Sequence, residues 1–355
     1  MMQEEQMSVT TNHARLRKYF ARLFPVGVGL VLISWLFSQV DFREAARIVR
    51  NIPPSLLLAG MGSYFGGFLL RALRFRLLLP QQIPLRHLVP IVLVHYAALN
   101  IIPARLGELS YIILLKQVNQ VSTGRSVSNL LIARVFDHLA ISLLFLTSAV
   151  FLNFSSSWLN TLLLVVSVAL IAACALLALL LAYKTRYVGW FHALIRVLKF
   201  ERFQLAHKIE RELGEVVNAL LTLRFGANLF PVLIVSCGIW LCIFATNYFL
   251  LHAFQVQLSY QEIVFTSTCI IMMRLLPLQF VSGFGIHETT WVFLAEALGV
   301  PRQIAITAAF GSHIIATLFL LCFGLYGLMR LYALLDFSFI RSRPHDENDQ
   351  DRLHD

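Results

Sequence analysis

Charge is what this sequence has least of. Asp, Glu, Lys and Arg make up only 14% of its 355 residues, against about a quarter in an ordinary soluble domain. Leu159–Ala182 runs for 24 residues without a single one. Apolar stretches near the length needed to cross about 30 Å of hydrocarbon recur along the chain. With 58% hydrophobic residues and a mean hydropathy of +0.73, a soluble helical protein is excluded and a polytopic helical membrane protein is expected. Cysteine is also sparse: Cys174, Cys237, Cys242, Cys269 and Cys322 are scattered through apolar segments without metal-ligand spacing. They read as packing residues, and no disulfide or zinc site is expected. Signatures of chemistry are missing as well, with no nucleotide-binding loop, no Gly-x-Ser-x-Gly and no HExxH. The chain is therefore not expected to be an enzyme or to carry a cofactor. The first apolar run is long enough to span and has no small-residue cleavage site after it, which argues against a cleaved signal peptide.

What is present is an ordered series of apolar segments. Full spans are expected at about 24–40, 54–70, 128–152, 158–182, 228–252 and 303–329, and two further apolar segments, 88–117 and 262–300, are interrupted. Lysine and arginine in short loops set orientation. The leader holds Arg15, Arg17, Lys18 and Arg22, which puts the N-terminus inside. Arg71, Arg74, Arg76 and Arg86 follow the second span without an acid and mark an inner loop. The loop 183–227 has eight basic residues against four glutamates, and Arg330, Arg341 and Arg343 follow the last span. All of these belong on the cytoplasmic side, with both termini cytoplasmic. They also account for the net charge of +10 without invoking nucleic acid.

With those loops inside, segment 88–117 begins and ends inside, whereas segment 262–300 begins and ends outside. Neither arm of the first is long enough to cross comfortably at about 1.5 Å per residue. The expected fold is all-α, with about six full spans plus two re-entrant helical hairpins, eight hydrophobic segments in two inverted repeats. The domain plan is a basic leader (1–23), one transmembrane domain (24–332, with halves at about 24–152 and 158–332 and an amphipathic cytoplasmic insert at 183–227), and a polar tail (333–355). Eight ordinary spans with two kinks also place both termini inside, but that arrangement puts Lys116 and Arg125 on the outer face.

The interruptions hold the candidate site. Pro103, Gly107 and Glu108 with Arg105 break the first segment; Pro277, Gly283, Gly285 and Glu288, preceded by Arg274, break the second. Broken helix at membrane depth is tolerated only inside protein or beside a wet cavity, and ionisable groups there mark pathways or binding sites. Arg105, Arg134 and Arg274 against Glu108, Asp137 and Glu288 form a charge-balanced set, as a mutually compensated buried network needs. Arg134 and Asp137, three residues apart, can pair on one helix face, either to hold the hairpin or to contact substrate. Glu108 can cap the helix that follows it, or Arg105 and that helix end can hold a phosphate. The glycines allow backbone to approach a ligand or another helix. His95, His287 and His313 lack i, i+4 spacing to carboxylates, so no metal is expected; His287 beside Glu288 could take part in proton coupling.

In order along the chain stand Arg71-Ala72-Leu73-Arg74-Phe75-Arg76, Asn100-x-x-Pro103-Ala104-Arg105-x-Gly107-Glu108, Ala133-Arg134-Val135-Phe136-Asp137, Gly283-Phe284-Gly285-Ile286-His287-Glu288 after Pro277, and Leu298-Gly299-Val300-Pro301. Over about residues 20–332 this series resembles the transmembrane family of lysylphosphatidylglycerol synthases and their stand-alone flippase-like relatives. Ala133 and His287 stand where that family often has an acid and an arginine. The resemblance implies a lipid flippase region. In bifunctional members of that family the region is fused to a soluble aminoacyl-transferase domain. None is expected in a chain that stops shortly after its last span, so a separate soluble lipid-modifying enzyme is a candidate partner. The other partners expected are membrane lipid and, as an assembly, a homodimer. A membrane enzyme or accessory subunit acting on lipid-linked glycans, and a solute transporter or channel, are the alternatives.

Overall fold

The computed structural model describes residues 51–79, 83–102, 107–182, 229–273 and 285–341, together with Arg43, Ala46, Arg47 and Arg50. The expected first span at 24–40, the insert 183–227, and Pro103, Arg105, Arg274, Pro277 and Gly283 lie outside them. All regular structure among the described residues is helical. In chain order the helices are α1 (Pro54–Leu78), α2 (Leu85–Ile101), α3 (Glu108–Asn119), α4 (Thr123–Ala149), α5 (Ser157–Ala182), α6 (Leu229–Ala253), α7 (Tyr260–Met273), α8 (Ile286–Ala297) and α9 (Arg302–Arg341).

Local chemistry sets these boundaries. Pro54 occupies the first turn of α1, where its missing N–H has no partner to lose. Gln120 adopts a left-handed conformation (φ 55°) after α3, and the amides of Gln120 and Val121 return to the carbonyls of Lys116 and Leu115. The chain then enters α4 within three residues. Ser259 and Glu262 form a reciprocal cap on α7, with Ser259 N donating to Glu262 Oε2 at 2.7 Å and Glu262 N to Ser259 Oγ at 3.3 Å. Gly299 (φ 86°) ends α8, Val300 N donates back to Ala295 O at 2.9 Å, and Pro301 prevents continuation. The Leu298–Pro301 piece of the sequence series is thus a helix stop.

Five helices, α1, α4, α5, α6 and α9, are long and apolar enough to cross a membrane. The other four have 17, 12, 14 and 12 residues. They form two consecutive pairs, α2 with α3 and α7 with α8, whose members pack on each other. Large apolar side chains face outward, among them Leu164, Val168 and Ile171 on α5 and Leu318, Leu325 and Leu328 on α9, as a lipid-solvated bundle requires.

The most extensive helix contact joins α1 to α6. Around it, α2 lies on α9 and α7 on α4; α4 touches α6, and α1 touches α9. A Cβ at Gly324 would lie 2.6 Å from the Ala97 Cβ, and one at Gly327 would lie 3.0 Å from the Leu93 Cβ and the Pro90 carbonyl. Bare glycine on α9 is what lets α2 seat there, a device common where lipid rather than water surrounds the helices.

One expectation is corrected. The second span does not end near residue 70, and Arg71 and Arg74 are not loop residues: α1 continues to Leu78, and both arginines are buried in the bundle. Their charge lowers the hydropathy of the turn that carries them, so an apolar run stops short there although the helix does not.

Candidate functional site

The first break is built from α2 and α3 as antiparallel neighbours. His95 Nδ1 and Ser110 Oγ are 3.1 Å apart, and His87 Nδ1 and Asn119 Nδ2 are 3.2 Å apart at the other end of the pair. Ser110 Oγ also donates to Gly107 O at 2.6 Å. A Cβ on Gly107 would fall 2.5 Å from Ala98 O and 2.7 Å from Leu99 Cα. Only glycine permits this backbone-to-backbone approach. Glu108 opens α3, where helix-terminal amides favour an anion, and its carboxylate pairs with Arg134 of α4. This ion pair is open to the surroundings, with side-chain exposures of 28% and 43%.

The second break repeats the plan. Gly285 adopts φ 97°, ψ −68°, a conformation that excludes ordinary side chains. Its N–H donates to Glu288 Oε2 at 2.7 Å, half of a capping box whose other half a glycine cannot supply. The second oxygen, Oε1, pairs with His313 Nδ1 from α9 and lies 3.6 Å from His287 Nδ1. Glu288 is completely buried. Counted from their helix starts, Arg134 is the twelfth residue of α4 and His313 the twelfth of α9. Each break therefore leads into a short helix whose first turn carries a glutamate, and each glutamate meets a basic residue at the same place on the next long helix.

A third polar centre lies between α1, α4 and α6. Arg74 donates from both terminal nitrogens to Asp137, at 2.5 and 3.1 Å, and to Ser236 Oγ at 3.2 Å. Trp240 Nε1 donates to Asp137 Oδ1 at 2.9 Å. The arrangement is a bidentate, charge-assisted pair, the strong form of this contact, and Arg74 has no exposed surface. It corrects the pairing expected within one helix: Arg134 binds Glu108 on α3, and Asp137 binds Arg74 on α1. Residues three apart on α4 point to different neighbours here, and each finds an oppositely charged partner nearer than the other.

Arg71, one turn before Arg74, stands differently. It is 9% exposed, and its guanidinium carbon sits 4.1 Å from the Tyr96 ring centre and 5.3 Å from that of Phe68. Among the described residues no carboxylate meets it. Aromatic faces satisfy a cation electrostatically.

A family model described as the lysylphosphatidylglycerol synthase TM region matches residues 22–324. The chain belongs to this family. No curated protein and no solved structure shows significant similarity to the chain. The matched lysylphosphatidylglycerol synthase TM region contains both breaks, the Arg74–Asp137 centre and His313, and membership gives the chain a role connected with membrane lipid. Of the six ionisable residues singled out in the sequence, four are described and none stands alone. Glu108 and Arg134 join, Glu288 joins the histidines, and Asp137 joins Arg74.

Sequence reasoning missed Arg71, Arg74, Ser236 and Trp240 as members of the polar interior. The signal for the two arginines was their three-residue spacing at the end of an apolar run, which places both on one side of a continuing helix. Ser236 and Trp240 gave no signal, because nothing in an apolar span distinguishes a tryptophan that donates to a carboxylate from one that packs.

Proposed function

We propose that this chain is a lipid translocase of the bacterial inner membrane, moving a phospholipid or other lipid with an anionic or zwitterionic headgroup between leaflets. The observation that carries the reading is Arg71: a guanidinium inside the bundle, braced by Phe68 and Tyr96, with no carboxylate against it among the described residues. Arg74 and Arg134 already have acidic partners. Keeping a charge in such surroundings without a protein counter-ion is costly, and a headgroup phosphate is a counter-ion that can arrive and leave. Arg105 and Arg274 add positive charge beside the two breaks in the sequence, and the exposed Glu108–Arg134 pair offers an acid and a base at the first break.

In this reading α2–α3 and α7–α8 are re-entrant hairpins entering from opposite faces, and the halves are inverted repeats with both termini cytoplasmic. The four arms have 12 to 17 residues and reach about 18–26 Å at about 1.5 Å per residue, short of the hydrocarbon thickness of about 30 Å. Exchanging the halves maps α1 onto α6, α2 onto α7, α3 onto α8 and α4 onto α9. Under that exchange the contact of α2 with α9 becomes that of α7 with α4, and the contact of α3 with α4 becomes that of α8 with α9. The contacts of α4 with α6 and of α1 with α9 interchange in the same way. A recurring transporter plan places broken helices of two inverted repeats around a midplane site. A separate soluble enzyme would supply any headgroup modification, and a homodimer is compatible with the plan.

Reconstitution in liposomes tests this directly. Purified protein should move labelled phospholipid between leaflets without admitting a labelled sugar or ion, and Arg71→Gln should slow transfer by roughly tenfold or more, the loss of one hydrogen bond to a charged group. Unchanged lipid distribution with an altered lipid-linked glycan favours a glycan-biosynthetic role, whereas solute entry at the rate of lipid movement favours a channel.

A further inference from the structure

Outside the arginine centres, one cluster among the described residues has a donor set that fits a different ligand. His287 and Glu288 from the start of α8 and His313 from α9 bring two imidazole nitrogens and a carboxylate oxygen to within 4.8 Å of one another. Glu288 has no exposed surface and His313 is buried, with the two imidazole rings 4.6 Å apart. Clustered acids at a surface are ordinary; two imidazoles closing on one oxygen of a buried carboxylate are not. We propose that His287, Glu288 and His313 form a site for a divalent transition-metal ion of the zinc class.

Three features carry this. The ligand set is two histidines and one glutamate, and imidazole with carboxylate suits zinc and its neighbours in the first transition row. Bonds of about 2.0–2.2 Å put tetrahedral ligands a little over 3 Å apart, so the observed spacing needs only side-chain adjustment. The carboxylate is also held from behind: Oε2 accepts from the Gly285 amide at 2.7 Å, which leaves Oε1 turned toward both rings. Such an outer contact fixes a metal ligand's orientation, and it depends on the positive φ that only glycine tolerates well here.

The counterpart at the first break gives a physical reason for a cation. There a glutamate meets Arg134, whose charge is permanent. The equivalent position on α9 is His313, whose imidazole carries no permanent charge. The second break thus has a buried glutamate and no fixed positive charge among its described partners. A bound divalent ion would supply that charge and tie α8 to α9. Three protein ligands leave a fourth position open for water or a ligand oxygen.

The test uses the full, tag-free chain in detergent, stripped of metal and titrated with zinc chloride against a chromophoric competitor. The expected result is one zinc per chain, with His313→Ala and Glu288→Gln each weakening it by more than about tenfold. Cobalt should give the visible absorption of a tetrahedral site. His287→Gln, at a partly exposed position, guards against variants that merely misfold, and zinc should raise the thermal midpoint of wild type but not of this variant. Zinc that binds no better than to the three variants, or that they bind equally, overturns the proposal. A cluster that responds to pH but to neither metal overturns it too and marks a proton site.

Discussion

At the scale of single residues, the Arg74–Asp137 pair is a clear case of a charge that must not be left alone. Arg74 is fully buried and donates twice to Asp137. Removing one partner of such a pair typically costs about 3–5 kcal/mol, because the survivor stays buried without compensation. Asp137→Ala should therefore lower the thermal midpoint in detergent strongly, and Arg74→Met on top of Asp137→Leu should recover much of that loss. If the double substitution is no better than the single one, the centre has a role beyond pairing. Gly107 makes a second residue-scale prediction. Alanine there would place a methyl 2.5 Å from Ala98 O, so Gly107→Ala should destabilise by about 1–3 kcal/mol, whereas Gly124, with open space around it, should accept alanine with little change in the same unfolding assay.

At the scale of elements, the two short-helix pairs decide the topology, and both were legible from the sequence. Proline, glycine and charge in the middle of apolar segments cannot continue a helix facing lipid, so the breaks had to fall there. The bounds of α3 and α8 agree, since each starts within a residue of the break glycine at 107 or 285. The arginines at the end of α1 were harder to read, because a charged turn that is paired inside a bundle has the same composition as one in a loop. Single cysteines at Gln117 and Thr123 test the membrane placement of α3: labelling only from the cytoplasmic side is expected of a re-entrant pair, and outside labelling restores eight ordinary spans. The α2–α9 contact makes a further prediction. Leucine at Gly327, where even a Cβ would lie 3.0 Å from the Pro90 carbonyl, should push the hairpin off α9 and abolish lipid movement at normal expression.

At the scale of the whole molecule, the two breaks share a local plan but differ in the residue that meets the glutamate. At one break the partner of glutamate is an arginine in a partly exposed pair; at the other it is a buried histidine beside a second one. A translocase of this kind would have a permanently charged end and an adjustable one. Zinc occupancy at the second break should then alter transfer rate, while Arg71→Gln changes transfer without altering zinc binding. Measuring both quantities on the same proteoliposomes separates the two proposals, since either can fail alone.

The sequence by itself determined that this is a membrane protein and where its apolar helices break. Those properties follow from local composition, because hydrocarbon penalises every unpaired polar group wherever it falls. Only the tertiary structure decided how the charges combine. Pairing depends on which face of one helix meets another, and Glu108 with Arg134, Arg74 with Asp137 and Glu288 with His313 are separated by 26, 63 and 25 residues along the chain. Spacing along a single helix could offer Arg134 to Asp137, but the packing of α4 between α1 and α3 gave each a different partner.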